Sequence, residues 1–506
     1  MAIYLLIPLP ASASSNIPLH SWIYEHLERL VNSGLVDQAS LSTKPLNRRQ
    51  AAEIVAQAVR NLEGGAIVSG LQRPLLEDQL ELLIEEFKWE LQRMGSYPFG
   101  EEGQPPPRWF SLKPLETAYV KGSYAEDPYL LENSKADLWA HGFDLRLGGS
   151  SRLELAEYLS FYVHPEYRYD EEQNKGYFLE TYGKLSFLNL ELEVGRDSRW
   201  WGPGYHGSLL LSDHALPLEL VEISSASPFR LPWFLRHLGT FDLSFFLARL
   251  EEERDFPHAK LMGMRIDWSP FPFLELGASR VILFDGKGRP SYSGPDYLEV
   301  LLARKENKPG KFNNNQLASL DATLRIRDLV RYFPLANSLV LYGEYGGEDM
   351  AGEKRGVPYP YKAGVIVGFL LQDLFTAEGL DLRGEYARTH KVWYRHGVYW
   401  SGYTYRGVLL GHHMGGDADD LYFRLSQWLS RKVQVALDFD QQRYGLSRSR
   451  HMREMYVEGS VLLFRPWDLP LSFSLAHRFI ETRNAGFQRG EDHRNILLSL
   501  EAKLHF

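Results

Sequence analysis

Apolar and polar residues alternate along most of this chain, from about residue 108 to the last residue. In residues 318–327, every second side chain is apolar and those between are polar. Such a period of two predicts strands with one apolar and one polar face. Similar runs lie at residues 143–147, 188–194, 262–268, 298–302, 433–440 and 495–506. Roughly 400 residues, at about 22 to 25 per strand and connection, correspond to about sixteen to eighteen strands.

Two architectures present strands of this kind. A soluble sandwich or propeller turns the apolar faces inward, whereas an outer-membrane barrel turns them toward lipid and lines its lumen with polar faces. We find no internal repeat of about 40 to 50 residues, which propeller blades would show. Some connections are long and polar, such as residues 285–296 and 306–315, and others are short, such as residues 268–271. Long loops and short turns favour the barrel, with a soluble β core as the alternative.

The last strand supports the barrel. Residues 496–506 carry apolar side chains at every second position, and the chain ends on Phe506. This ending resembles the signal by which the barrel assembly machinery recognises outer-membrane proteins. A closed barrel also pairs every backbone donor within hydrocarbon. We therefore predict a mainly β fold, a large antiparallel transmembrane β-barrel over residues 108–506, with outer-membrane lipid and the assembly machinery as partners.

Helical spacing replaces alternation before the barrel. Residues 1–15 join a short apolar core to the small-x-small pattern at 11–13, which predicts a truncated signal peptide, with an ordinary buried segment as the alternative. Residues 16–100 carry three helical stripes, and Asn47 with Gln50 is a capping-box start. We expect a small helical bundle in the periplasm. Through Trp22 and Tyr24 it also resembles half of a surface-layer-homology module, which would bind cell-wall glycan.

The amino-acid composition excludes several classes of protein. The 506 residues include no cysteine, which excludes disulfide scaffolds, thiolate zinc sites and iron–sulfur clusters. The net charge is −9 without a basic block, so nucleic acid is not an expected partner. No apolar run approaches the ~20 residues of a membrane helix. Aromatic residues make up 13% of the chain, and pairs such as Trp200 with Trp201 and Phe271 with Phe273 are expected in interfacial girdles.

The densest group of chemically capable residues lies at 195–213, directly after a predicted strand. Its Gly and Pro residues favour tight turns. Aromatic rings with charged groups beside them suit a sugar, which has an apolar face and a rim of hydroxyls. A loop folded inward and fixed by its own contacts is the alternative. The residues predicted to bind polysaccharide are Arg196, Arg199, Trp200, Trp201, Tyr205, His206 and Asp213.

Residues 199–204, with sequence Arg-Trp-Trp-Gly-Pro-Gly, and 208–212, with Ser-Leu-Leu-Leu-Ser, resemble the signature of the capsule assembly protein Wzi family. Residues 411–420 resemble a late Gly-His…Gly…Asp block of that family. The resemblance implies an outer-membrane β-barrel with a periplasmic helical bundle, acting as a lectin that holds capsular polysaccharide at the cell surface. The loops and first helices differ from the enterobacterial members, which leaves both capsule and another exopolysaccharide as ligands.

Other chemistry has weaker support in the sequence. Asp417, Asp419 and Asp420 lack the ligand spacing of a calcium loop, so we expect a solvated loop end. His412 and His413 would point to opposite faces of a strand, which argues against shared zinc ligation. Motifs of serine hydrolases, zinc peptidases and phosphate-binding loops are missing from the sequence. We expect no catalytic residue, no metal and no cofactor.

The sequence thus predicts a monomeric outer-membrane protein, lectin-like and not an enzyme, that binds or retains capsular or extracellular polysaccharide during capsule assembly. The second hypothesis is a porin for small solutes with a cell-wall-binding helical module. Its lumen would be lined by Asp321, Arg325, Arg327, Lys432 and Asp438.

Overall fold

The alternating part of the chain forms long antiparallel strands, each paired with its neighbour in sequence. The computed structural model describes residues 13–64, 73–96, 110–155, 158–172, 174–290, 292–301, 310–351 and 359–506. Most of the predicted signal segment therefore lies outside the described residues. The strands are β1 (Phe110–Ala125), β2 (Gly142–Leu155), β3 (Leu159–Tyr169), β4 (Asn174–Phe187), β5 (Leu190–Asp197), β6 (Leu218–Ser225), β7 (Thr240–Arg249), β8 (Lys260–Phe271), β9 (Leu274–Phe284), β10 (Asn315–Ile326), β11 (Ser338–Ala351), β12 (Tyr359–Gln372), β13 (Leu380–Thr389), β14 (Ala418–Ser430), β15 (Val433–Tyr444), β16 (Met452–Phe464), β17 (Leu471–Arg483) and β18 (His493–His505).

These eighteen strands close into one barrel. The closing pair joins β1 to β18, with Thr117 opposite His505 and Ala125 opposite Leu497. Closure satisfies the backbone groups that an open sheet would leave at its edges. The predicted antiparallel barrel of about sixteen to eighteen strands is confirmed.

The apolar faces of the strands point outward. On β5, Leu190 is 59% exposed, whereas the neighbouring Glu191 is 2% exposed. On β10, Leu320 is exposed, while Ser319 and Asp321 on either side are buried. A soluble core would reverse this arrangement, so the apolar exterior and polar lumen are those of a membrane barrel.

Helices precede the barrel, and the third of the three predicted helices is divided into two at Phe87. The helices are α1 (Ile23–Asn32), α2 (Arg48–Glu63), α3 (Arg73–Glu86) and α4 (Lys88–Arg93). The predicted capping box opens α2: the Asn47 side chain accepts a hydrogen bond from the Gln50 N–H at 2.8 Å, and the Gln50 side chain accepts one from the Asn47 N–H at 3.0 Å. Among the described residues, no helix combines the length and apolarity needed to span a bilayer.

The strand predicted over residues 298–302 is wrong for residues 298–301, and residue 302 lies outside the described residues. Residues 298–301 fall in a helix, α5 (Gly294–Leu301), within the connection from β9 to β10. The Asp296 carboxylate accepts hydrogen bonds from the Ser293 N–H at 2.8 Å and hydroxyl at 2.6 Å, which fixes the first turn. Val300 then packs against Ile282 and Phe284. Five alternating residues also fit one face of a short helix, so the period alone did not distinguish the two structures.

The helices lie against the end of the barrel where short turns join the strands. Leu75 donates its N–H to Glu378 at 2.6 Å, and the Ser227 hydroxyl donates to Glu53 at 2.9 Å. Arg29 of α1 donates to Asp373 at 2.9 Å and to Asp381 at 2.6 Å. Since Arg29 and Asp373 are buried, this contact ties α1 to the barrel wall without exposure to water.

We predict that Arg29→Met lowers the free energy of unfolding by about 3–5 kcal/mol, because it leaves buried carboxylates without their cation. Urea titration in detergent, followed by tryptophan fluorescence, measures the change. Arg431→Met is the matched control. The Arg431 side chain is 45% exposed and lies 3.6 and 3.8 Å from Asp78 and Glu81, so we expect a loss of about 0–1 kcal/mol. Equal losses in the two variants would contradict the assignment.

Candidate functional site

The connection from β5 to β6, residues 198–217, folds into the barrel. Its Trp201, Leu209 and Leu210 are buried in an apolar cluster inside the lumen. Trp393 and Tyr403, from the connection between β13 and β14, complete the contact surface. A polar lumen thus contains a small hydrophobic core built from two connections at the end opposite the helices.

The N-terminal segment meets this core in the middle of the barrel. Thr43–Lys44 pairs antiparallel with Trp200–Trp201. The Gly202 N–H donates to the Ser42 carbonyl at 2.9 Å. A two-stranded contact therefore joins the segment that enters from the helical end to the connection that enters from the other end.

The two long connections are also bonded to each other. Ser212 donates its N–H to the Leu410 carbonyl at 2.9 Å and its hydroxyl to the Gly411 carbonyl at 2.6 Å. The Tyr394 hydroxyl donates to the Leu209 carbonyl at 2.6 Å. Buried hydroxyls and carbonyls that satisfy one another fix the relative position of the connections.

Carboxylates of the barrel wall hold the tip of the 198–217 connection. Glu385 on β13 accepts backbone hydrogen bonds from Tyr205 at 2.7 Å, His206 at 3.2 Å and Gly207 at 3.1 Å. Glu344 on β11 accepts the Leu209 N–H at 3.0 Å. Bonds between a carboxylate and backbone N–H groups are stronger than neutral ones, so the wall determines the path of this connection.

Arg199 is enclosed by acidic side chains. Its guanidinium donates to Glu193 at 2.8 Å and to Asp197 at 2.6 Å, and also to Glu222. The Asn16 side chain donates to Glu193 at 2.9 Å and to Asp197 at 2.8 Å, which brings the N-terminal segment into the same network. The donors of Arg199 are thus engaged within the protein.

The seven residues predicted to contact polysaccharide are placed differently from that expectation. The side chains of five are buried in the lumen: Arg199, Trp200, Trp201, His206 and Asp213. Tyr205 is half-buried, 6.1 Å from the Tyr422 ring between centroids. Arg196 lies apart on β5 and pairs with Glu219 at 2.5 Å. The burial of both indole rings fits the inward-folded alternative.

The two aromatic pairs predicted to lie in interfacial girdles differ in position. Trp200 and Trp201 lie inside the lumen, so that prediction is wrong for this pair. Phe271 and Phe273 are about half exposed at a strand end, and their rings stack with centroids 5.4 Å apart. The second pair has the position expected of an interfacial girdle.

The histidine and aspartate residues of segment 411–420 lie in positions that differ from the prediction. His412 and His413 lie in a connection, not on a strand, and their rings are 4.5 Å apart. Asp417 and Asp419 bond to Ser447 and Arg443, while Asp420 turns inward toward His413. The three aspartates therefore do not share a calcium site. Burial, and then the neighbouring His206, lowers the pKa of His413 to about 3, so its ring is neutral.

A cavity of about 560 Å³ opens on the loop end, outside the lumen. Its lining includes Lys391, Arg395, Tyr444, Arg448 and Phe487. The guanidinium carbon of Arg448 lies 3.9 Å from the centroid of the Phe487 ring. Three connections contribute to it, after β13, β15 and β17, so no contiguous motif marked it in the sequence. Exposed cations beside aromatic rings suit an anionic ligand with apolar faces.

Comparison with known proteins gives a family match over most of the barrel. Residues 118–491 match the family model described as capsule assembly protein Wzi. A curated protein of Klebsiella pneumoniae, described as an uncharacterized 55.8 kDa protein in the cps region, is 32% identical over 183 residues, which are 34% of this chain and 33% of that protein. The match thus spans about a third of that relative.

A solved structure is similar in fold to almost the whole chain. It is that of Wzi of Escherichia coli, described as an outer membrane protein involved in group 1 capsule assembly and a carbohydrate-binding β-barrel. The TM-score is 0.71 at 18% identity, with 97% of this chain and 100% of that chain covered. The likeness extends over both the helices and the barrel.

We predict that Glu385→Ala loosens the tip of the 198–217 connection, since three backbone N–H groups lose their acceptor at about 1–3 kcal/mol each. Hydrogen exchange of residues 205–207 should become faster in the folded barrel. Glu481→Ala, which removes a carboxylate paired with the exposed Arg483 at 3.1 Å, should leave that exchange unchanged. Wild-type exchange in the Glu385 variant would contradict the role given to this carboxylate.

Proposed function

The chain belongs to the capsule assembly protein Wzi family, and from that membership we propose that it binds or retains capsular or another extracellular polysaccharide at the outer surface of the outer membrane. The observation that carries the proposal is the filled lumen. The segment paired through Thr43–Lys44 enters from one end and the connection paired through Trp200–Trp201 enters from the other. A barrel closed in this way suits a binding protein better than a channel.

Two of the residues predicted to line a pore, Asp321 and Arg325, support a binding protein over a channel. Asp321 bonds to Arg265 at 2.7 Å, and Arg325 bonds to Glu275 at 2.9 Å, all of them buried. The porin alternative needs a hydrated lumen with free charges along its wall. Ion pairs between nearby strands, beneath a packed segment, do not provide it.

The orientation follows from the placement of turns. Short turns face the periplasm in barrels of this class, and longer loops face outward. The N-terminal helices and the C-terminal residue lie at the short-turn end, where the Phe506 N–H donates to the Glu116 carbonyl at 2.9 Å. On this basis we assign residues 16–100 to a periplasmic bundle and 108–506 to the barrel; the signal segment at 1–15 and the monomeric state stay predictions from the sequence. Phe506 would be the contact for the barrel assembly machinery.

We place the polysaccharide contact in the loop-end cavity and not at the buried Trp200 and Trp201. Lys391, Arg395 and Arg448 give the cavity positive charge. The carboxylate of Asp417, at the same site, accepts the Ser447 hydroxyl at 2.7 Å. Cationic groups beside an aromatic face recognise an acidic sugar through its carboxylate or phosphate and its apolar ring face.

The combined change Arg395→Ala plus Arg448→Ala should reduce retention of surface polysaccharide several-fold, with an effect that shrinks at high salt because screening weakens the wild-type contact. Retention is measured as cell-associated against released polysaccharide, and by pull-down with purified barrel in detergent.

Two controls separate this site from other causes. Arg453→Ala plus Arg483→Ala removes the same charge on paired positions of β16 and β17 outside the cavity, and should leave retention unchanged. Trp200→Phe tests the lumen site predicted from the sequence, and its retention should match the wild type once folding is verified. If the cavity variant retains polysaccharide normally and the Trp200 variant does not, the contact lies in the lumen instead.

A further inference from the structure

Four side chains that can bind a metal converge inside the barrel. His206 comes from the 198–217 connection, His413 from the connection before β14, Asp420 from β14 and Asp440 from β15. The His413 Nε2 lies 3.0 Å from the Asp420 carboxylate, and the His206 Nε2 lies 3.8 Å from Asp420 and 3.4 Å from Asp440. One donor atom from each residue lies within 4.8 Å of all the others.

The polar atoms of this cluster are incompletely satisfied. The His206 Nε2, one oxygen of Asp420 and one oxygen of Asp440 are buried without a hydrogen-bond partner. Across the described part of the chain, no lysine or arginine pairs with either aspartate, and the basic side chains within 4 Å of their carboxylates are the two histidines. Two carboxylates enclosed in one buried site are unfavourable as anions unless a proton or a cation compensates their charge.

We propose that His206, His413, Asp420 and Asp440 bind one divalent transition-metal ion, with Zn²⁺ as the best match. Zinc takes four nitrogen and oxygen ligands at about 2.0–2.2 Å, so the edges of its tetrahedron measure about 3.3 Å. The three distances above bracket that edge. Imidazole ligands favour zinc-like ions over calcium and magnesium, which prefer all-oxygen sites.

Neighbouring residues hold the ligand side chains in position, as a metal site requires. The Gln442 side chain donates to Asp440 at 2.7 Å. The His206 ring stacks on Tyr422, with centroids 3.9 Å apart and an interplanar angle of 4°. The Asn133 amide donates to the His206 carbonyl at 2.7 Å. Outer contacts of this kind orient ligands before the ion arrives.

The ion would join two connections to the barrel wall at one point. His206 and His413 lie on different inserted segments, while Asp420 and Asp440 lie on adjacent strands. A bound cation would therefore stabilise the closed lumen. His413 lies in a connection and not on the strand predicted for it, so its ring can turn toward Asp420, and the predicted absence of a metal site loses that support.

The test uses the full chain purified in detergent, stripped with a chelator and titrated with Zn²⁺. We expect one zinc per barrel by calorimetry and elemental analysis, with affinity at least tenfold lower in His413→Gln and in Asp440→Asn. His390→Gln, a histidine in the same connection outside the cluster, is the matched control and should bind like the wild type.

Two further measurements keep the result independent of folding defects. Affinities are compared only for barrels with the gel mobility of the folded form. Co²⁺ replaces Zn²⁺ in the wild type and should give the intense visible bands of tetrahedral coordination. Failure of the folded wild type to bind Zn²⁺, an octahedral cobalt spectrum, or wild-type affinity in a folded His413→Gln barrel would each overturn the proposal.

Discussion

The carboxylates that face the lumen are the feature on which the rest of the structure depends, because they accept hydrogen bonds from both segments that fill it. Toward the helical end, Glu275 accepts the N–H groups of Leu41 at 3.2 Å and Ser42 at 3.1 Å. Toward the loop end, Glu385 and Glu344 do the same for the 198–217 connection. A buried carboxylate is unfavourable without donors, and a buried extended segment is unfavourable without acceptors. The wall and the inserted segments therefore stabilise each other.

This mutual dependence continues into the middle of the barrel. The pairing of Thr43–Lys44 with Trp200–Trp201 means that each inserted segment completes the hydrogen bonds of the other. The core around Trp201 and Leu209 then packs between the inserted segments and the barrel wall. Loops anchored from inside present the loop-end cavity in one arrangement, which lowers the entropy lost when a ligand binds.

The sequence predicted the barrel because closure imposes one rule on every strand. Outward residues meet lipid and inward residues meet polar groups, so alternation persists through β10 and β15 and to Phe506. Register across the closing pair, by contrast, depends on residues hundreds of positions apart. Local spacing also failed at α5, where packing against Ile282 and Phe284 decides between helix and strand.

The candidate site was harder to predict for a physical reason. Aromatic rings with charges at their edges suit a sugar, and the same groups suit a buried connection with satisfied polar atoms. Only the residues that contact these groups in the folded protein distinguish a sugar site from a buried connection. Arg199 is enclosed by carboxylates of two adjacent strands, and two of them, Glu193 and Glu222, lie outside residues 195–213.

The buried residues of the inserted connection and the exposed residues of the loop-end cavity respond differently to substitution. The segment that resembles the family signature, residues 199–212, contacts the wall and the N-terminal segment, so substitutions there disturb closure. Lys391, Arg395 and Arg448 lie on the exposed side of their connections, away from those contacts. Exchange of these residues alters the charge of the cavity while leaving the filled lumen intact. Barrels with the same buried signature can therefore differ in the charge that this cavity presents.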